Sequence, residues 1–310
     1  MKANTQLDKK LILGTAMWGW SVSRNTAYDI LDKFLLNGGG FVDTATNYPI
    51  NKQDKDFGVA IRWLSEWQKN NQNSKLSLIA KIGSINNMGG PETDLSQRNI
   101  FDATKKLRDL FELSLSCISI HWDDRKNDNA NQKAIAETVS AMARLREEGL
   151  NIGLSGIKNP MCYYLANPTL AKHWMIQVKE NLMTSAPRLA YQTFFPNAKY
   201  FAYGINMGGI KIGEYSSNSS VNLRNIKIES KLVERAQAFL ESGHRIDPRP
   251  KTFNELSLAF GHNNTSLAGV IIGPRNVSQL EESLNYWSQL ENVGNSPAWS
   301  KVFDELASRD

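Results

Sequence analysis

The sequence predicts a single (β/α)8 barrel of the TIM type, and three observations carry that prediction. Short apolar runs that read as strands recur eight times along the 310 residues. Each is followed by a stretch whose apolar residues repeat at helical spacing, which favours parallel strands joined by helical crossovers. No linker rich in Pro, Gly or Ser divides the chain, so residues 1–310 are expected to form one domain, and eight repeats in that length suit a closed barrel better than an open sheet.

Taken in order, the first strand is expected at 11–13 and is stopped by Gly14. Asn25 is placed to cap a helix whose apolar residues, Ala27, Ile30, Leu31, Phe34 and Leu35, share one face. Gly38, Gly39 and Gly40 end it, because the residue past a helix C-terminus commonly enters the left-handed region. Phe41 and Val42 open the second strand, and a helix follows over 57–68. The third strand is expected at 76–80 with a helix over 95–113, and the fourth at 117–120 with a helix over 134–148. A weak helical pattern at 160–166 follows the fifth strand at 152–154, and one at 186–193 follows the sixth at 175–178. The seventh strand, 200–203, leads into 204–225, rich in Gly, Ser and Asn and without period, which is expected as a mobile loop over the barrel mouth. Helices at 231–241 and 253–260 precede the eighth strand at 270–272; helices at 277–284 and 300–308 complete the chain.

Composition narrows the function classes. Hydrophobic residues make up 41% and charged residues 22%, as in globular proteins, and no apolar run reaches the ~20 residues of a membrane helix. The polar start MKANTQLDKK has no secretion-signal character, and Cys117 and Cys162 read as reduced thiols, so a cytoplasmic location is expected. Net charge is +5, but basic residues alternate with acids, as in Arg144-Leu145-Arg146-Glu147-Glu148, which describes solvated helix faces rather than a nucleic-acid surface. His121, His173, His244 and His262 lack ligand spacing, so no metal is expected. Hydrolase elbows, P-loops and G-x-G-x-x-G turns are missing.

Barrels of this kind carry their chemistry at the C-terminal ends of the strands. Polar residues at or near those ends are Asp43, Lys81, His121, Ser155, Gln177 and Tyr203, in strand order from the second to the seventh. Taken singly, each has a plainer reading: Asp43 as a turn cap, His121 as a core histidine, Tyr203 as a packing aromatic. Together with Tyr48 they describe a proton relay. A free tyrosine titrates near ~10, too high for acid catalysis near neutrality, and an adjacent ammonium favours its phenolate. A carboxylate beside the lysine keeps that ammonium charged and oriented. His121 supplies a hydrogen bond for a substrate oxygen that gains charge. The set lacks a hydride, which a nicotinamide cofactor would complete.

From LGTAMWG to the helix after the eighth strand, the chain resembles the aldo-keto reductases over about Leu13 to Leu284. The fragments that carry the resemblance are LGTAMWG, GGGFVDTATNY, IAKIG, CISIHW, GLSGI, IQVKENL, AYGINMGG and IIGPRNVSQLEESL. It implies a catalytic tetrad of Asp43, Tyr48, Lys81 and His121. It further implies a cofactor site in which Thr15 and Asp43 take part, Ser155 and Gln177 hold the nicotinamide carboxamide, and Tyr203 stacks on the ring. Gly273, Arg275, Gln279 and Glu282 would serve the adenosine end, Arg275 and Gln279 near its 2′-phosphate, so NADP(H) is implied ahead of NAD(H). Departures are Gly156 and Ser283 where the family usually has asparagine, Gly83 where part of it has an aromatic residue, and Pro49-Ile50-Asn51-Lys52-Gln53-Asp54 in place of a shorter turn.

Trp18, Trp20, Asn47 and Trp122 are expected to line the substrate pocket, which suggests a polar carbonyl such as a sugar. The expected function is reduction of an aldehyde or ketone, or the reverse, by a monomer or weak homo-oligomer with no nucleic-acid or membrane partner. Two alternatives stay open: a non-catalytic NADP(H)-binding module or sensor, and a barrel using Lys81 as a Schiff-base amine.

Overall fold

Eight parallel strands close on themselves in sequence order, β1 pairing with β2 through to β8 and β8 with β1. They are β1 (Lys10–Gly14), β2 (Phe41–Ala45), β3 (Ser77–Ile82), β4 (Leu115–Asp123), β5 (Asn151–Ile157), β6 (Trp174–Lys179), β7 (Lys199–Tyr203) and β8 (Gly269–Ile272). This is a computed structural model, and it describes residues 9–210, 229–242 and 246–307. The helices among them are α1 (Arg24–Leu36), α2 (Val59–Asn70), α3 (Gln97–Phe111), α4 (Asn129–Glu147), α5 (Pro160–Ala166) and α6 (Ala186–Gln192). After these come α7 (Ser230–Glu241), α8 (Phe253–Asn263), α9 (Val277–Val293) and α10 (Pro297–Ala307).

Every strand expected from the sequence is present, most of them longer by one to three residues. Local chemistry explains where helix boundaries moved. Ser23, not Asn25, caps α1: its backbone is extended and its hydroxyl accepts from Thr26 N at 3.3 Å, while Asn25 already lies in the first turn. Gly38 takes φ 82°, the left-handed backbone expected just past that helix. α9 runs nine residues past the expected 277–284 because Tyr286, Trp287 and Leu290 continue its buried stripe. α5 begins at a proline, where the missing N–H has no helical partner to lose. Of the expected mobile loop 204–225, residues 211–225 lie outside the described residues.

Strand periodicity divides the core into two parts. One set of side chains, including Val42, Leu78, Ala80, Ile118, Ile120, Leu154, Ile176 and Val270, faces the helices and is buried there. The other set points into the barrel, where Ile12, Ile79, Cys117, Phe201 and Ile271 form a separate apolar cluster joined by Phe41 and Met175. Since side chains alternate with a period of two, residues 43, 81, 121, 177 and 203 share the inward phase of Phe41, Ile79, Cys117, Met175 and Phe201. The polar residues singled out in the sequence therefore form the layer above an apolar floor. No helix among the described residues is long and apolar enough to cross a membrane.

Candidate active site

Burial of charge defines the site. Asp43 is 4% exposed and Lys81 3%, and no charged side chain stays that deep without partners. The Lys81 ammonium donates to Asp43 Oδ2, while Asp43 Oδ1 accepts from Gln177 Nε2 at 2.6 Å. Both carboxylate oxygens are thus committed, one to a cation and one to an amide. Burial disfavours the Lys81 charge, yet Asp43 and the Tyr48 hydroxyl outweigh it and hold the lysine above its ordinary pKa. Lys81 is an ammonium throughout the working range, the opposite of what a Schiff-base amine requires.

Tyr48 reaches this cation from the loop after β2. Its N–H donates to Ala45 O at 3.2 Å, and its carbonyl accepts from Ala60 N at 3.2 Å in the first turn of α2. The side chain is buried, with Lys81 Nζ 5.0 Å from its ring centroid. His121 meets the Tyr48 ring edge-on at 5.4 Å and 81°. Burial, then the Lys81 charge, pushes the His121 pKa well below the usual imidazole value, so the ring is neutral. Its Nδ1 lies 3.3 Å from Ser84 Oγ, and Trp122 stacks on its face at 4.0 Å and 18°. The four predicted catalytic residues are brought together.

The other predicted residues divide. Ser155 and Gln177 stand buried in the same inward layer, and Tyr203 leaves 37% of its surface open at the mouth. Thr15, fully buried, lies 3.1 Å from Asp43 O and 2.8 Å from Thr44 Oγ1, so it braces the backbone of Asp43 and presents no surface to a ligand. Trp18 is 1% exposed and Asn47 0%, with Asn47 Nδ2 donating to Asn86 O at 2.9 Å. Neither offers a substrate any area in this structure, whereas Trp20 and Trp122 are half-buried.

Beyond β8, Gly273 is exposed and a Cβ added there would meet nothing within 4 Å, so the backbone stands open to a ligand. Arg275 N donates to Gln279 Oε1 at 2.9 Å, and Glu282 Oε1 accepts from Thr252 Oγ1 at 2.6 Å. Ser283 receives Asn254 Nδ2 at 3.0 Å. An open tyrosine face, an inward hydroxyl and amide, and an open glycine before a helix N-terminus are what a nicotinamide dinucleotide needs. Those residues fit that cofactor. No cluster of metal ligands exists among the described residues.

Two features escaped the sequence reading, and a third, Gly156, was noted there without its cause. Ser84 touches His121, but a serine three residues past a lysine carries no sequence signal. Tyr191 of α6 donates to Ser155 O and accepts from Ile157 N at 2.7 Å, pinning the end of β5. Gly156 is required by packing: a Cβ there would fall 2.3 Å from Trp122 Cδ1 and 3.3 Å from His121 O. The missing asparagine is thus the space that Trp122 occupies.

Comparison with known proteins bears on the family and the fold. The family model described as the Aldo/keto reductase family matches residues 10–292. Norsolorinic acid reductase B of Dothistroma septosporum is 27% identical over 113 residues, which span 33% of this chain and 26% of that protein. The chain therefore matches about a quarter of that relative's length. An aldo-keto reductase from Bacillus halodurans, solved in its holo form, shares the fold with a TM-score of 0.67 at 17% identity, over 96% of this chain and 92% of the other.

Proposed function

This chain belongs to the aldo/keto reductase family, and from that premise we propose that it reduces an aldehyde or ketone with NADPH, using Tyr48 as the proton donor. Membership makes it an NAD(P)H-dependent oxidoreductase; the residue roles, the choice of NADPH and the substrate are the proposal. The observation that carries it is the buried Lys81 ammonium held between Asp43 and Tyr48. A bound nicotinamide supplies the hydride. Tyr48 gives its hydroxyl proton to the carbonyl oxygen as that oxygen gains charge, and the Lys81 ammonium beside it steadies the phenolate left behind. Asp43 keeps the ammonium charged and aimed. Neutral His121 donates one hydrogen bond to the same oxygen and adds no second cation that would compete with Lys81.

Ser155 and the free oxygen of Gln177 would hold the carboxamide, Tyr203 the ring, and Arg275 beside Gly273 the 2′-phosphate that favours NADPH. Trp20 and Trp122, both half-buried, would supply the aromatic walls, which suits carbonyl compounds with a flat or sugar-like body. A screen of aldehydes, ketones and reducing sugars, followed at the nicotinamide absorbance, tests this. Turnover in wild type that disappears in Tyr48→Phe while NADPH still binds is the expected result. Tight NADPH binding without oxidation by any carbonyl overturns it.

A further inference from the structure

Neutral imidazole carries one N–H, so one ring nitrogen of His121 donates and the other accepts. Which does which decides whether the ring stabilises or repels an oxygen gaining negative charge. His121 Nδ1 faces the Ser84 hydroxyl at 3.3 Å. Ser84 is buried, and the loop that carries it closes on itself. Ser84 bridges Thr93, Asp94 N donates to Gly83 O at 2.8 Å, and Ile85 N donates to Glu92 O at 3.3 Å. With Nδ1 taken, Nε2 is the nitrogen left for a substrate.

We infer that Ser84 is a positioning residue: its hydroxyl donates to His121 Nδ1 and so keeps the ring proton on Nε2, where a substrate oxygen receives it. The inference rests on the reductase reading above, in which that oxygen becomes an alkoxide. Reversing the bond would aim the Nε2 lone pair at the developing charge and turn stabilisation into repulsion. The orientation of the ring has other guardians. Trp122 covers one face at 4.0 Å, in space that only Gly156 leaves free, and the edge-on contact with Tyr48 fixes it from another side. Ser84 therefore controls where the proton sits, and removing its hydroxyl leaves the ring in place.

The test is long-range 1H–15N correlation on full-length protein labelled with 15N-histidine, the His121 signal being identified by its loss in His121→Gln. In wild type the expected spectrum is a neutral ring protonated at Nε2. Ser84→Ala should move that signal toward a mixture of tautomers and lower kcat about ten-fold, the value of one hydrogen bond, with the NADPH Kd and circular dichroism unchanged. Ser84→Cys, which keeps a weaker donor, should fall between the two. A wild-type ring protonated at Nδ1 overturns the inference, as does a kcat that Ser84→Ala leaves unchanged. Wild-type protein that shows the Nε2 proton but reduces no carbonyl overturns the reductase reading and leaves the Ser84 bond standing, so the two failures are distinguishable.

Discussion

Two buried ion pairs stand near the same end of this barrel, and they do different work. Asp43 and Lys81 have side chains 5% and 3% exposed; Glu180 and Arg188 have 0% and 10%. The first pair points into the barrel. In the second, Glu180 follows β6 three residues after the inward Gln177, on the opposite phase, and meets Arg188 of α6. Arg188 Nε lies 2.9 and 2.7 Å from the two Glu180 oxygens, Arg188 Nη1 donates to Gln192 at 2.6 Å, and Asn264 adds a donor to Glu180 at 2.9 Å. That network ties β6, α6 and the approach to β8 together. Arginine suits it, being a planar fork that stays charged. Lysine suits the inner pair, because a compact ammonium with three donors serves Asp43 and Tyr48 at once. Equal burial of charge thus marks a structural tie in one place and a candidate relay in the other, and the deciding feature is a phenol bonded to the cation: Tyr48 bonds Lys81, whereas Tyr200, the phenol near Arg188, gives its hydroxyl to Phe195 O at 2.8 Å.

The comparison breaks most sharply at the Tyr48 hydroxyl. Tyr48→Phe removes the proton donor and keeps the ring over Lys81, so turnover should fall roughly 10²- to 10⁴-fold, with NADPH affinity and melting temperature close to wild type. Steady-state kinetics beside a cofactor titration checks both halves. Loss of folding in this variant would make the inner pair another structural tie.

Arg188→Met should give the converse. It leaves the Glu180 carboxylate buried with Asn264 alone, a change that costs about 3–5 kcal/mol in comparable buried pairs. Chemical denaturation should show that loss, while kcat of the folded enzyme at low temperature stays within about two-fold, because no atom of the relay is touched. A large fall in kcat with unchanged stability would erase the distinction between the two pairs.

The inner pair was legible in the sequence, and the outer pair was not. Asp43, Lys81, His121 and Gln177 stand in phase with apolar inward residues on short strands, so a period of two exposes them as polar groups where the core should continue. Glu180 falls within IQVKENL and Arg188 within the expected helix 186–193, but nothing in the chain announces that the two meet. The barrel itself was legible because every strand and nearly every helix carries its own period. The substrate wall was less so. Trp18 and Asn47 look like pocket residues by proximity to the motifs, but packing around the loops after β1 and β2 buries them. Gly156 shows the same limit, since its meaning depends on Trp122 across the strand pair.

Gly156→Asn sharpens the comparison from the His121 side. The new side chain must displace Trp122 from the His121 ring, so the substitution should lower kcat about ten-fold, the loss of one oriented hydrogen bond. Crystallography of the variant would show Trp122 moved. Unchanged kcat with a displaced tryptophan would mean that the stack does not orient His121.

The smallest effect on kcat belongs to the adenosine end, where Gly273 and Gln279 are exposed and Arg275 is half-buried. The Arg275 backbone N–H donates to Gln279 Oε1 at 2.9 Å. A contact to a phosphate from such a position is screened by solvent, and a charge-assisted hydrogen bond there is worth about 1.5–3 kcal/mol at most. Arg275→Ala should therefore weaken NADPH binding about ten-fold while leaving NADH binding and kcat nearly unchanged, as read by quenching of protein fluorescence with each nucleotide. Equal weakening for both nucleotides would place Arg275 on the shared pyrophosphate instead of the 2′-phosphate. In that case Arg275 makes no distinction between NADPH and NADH.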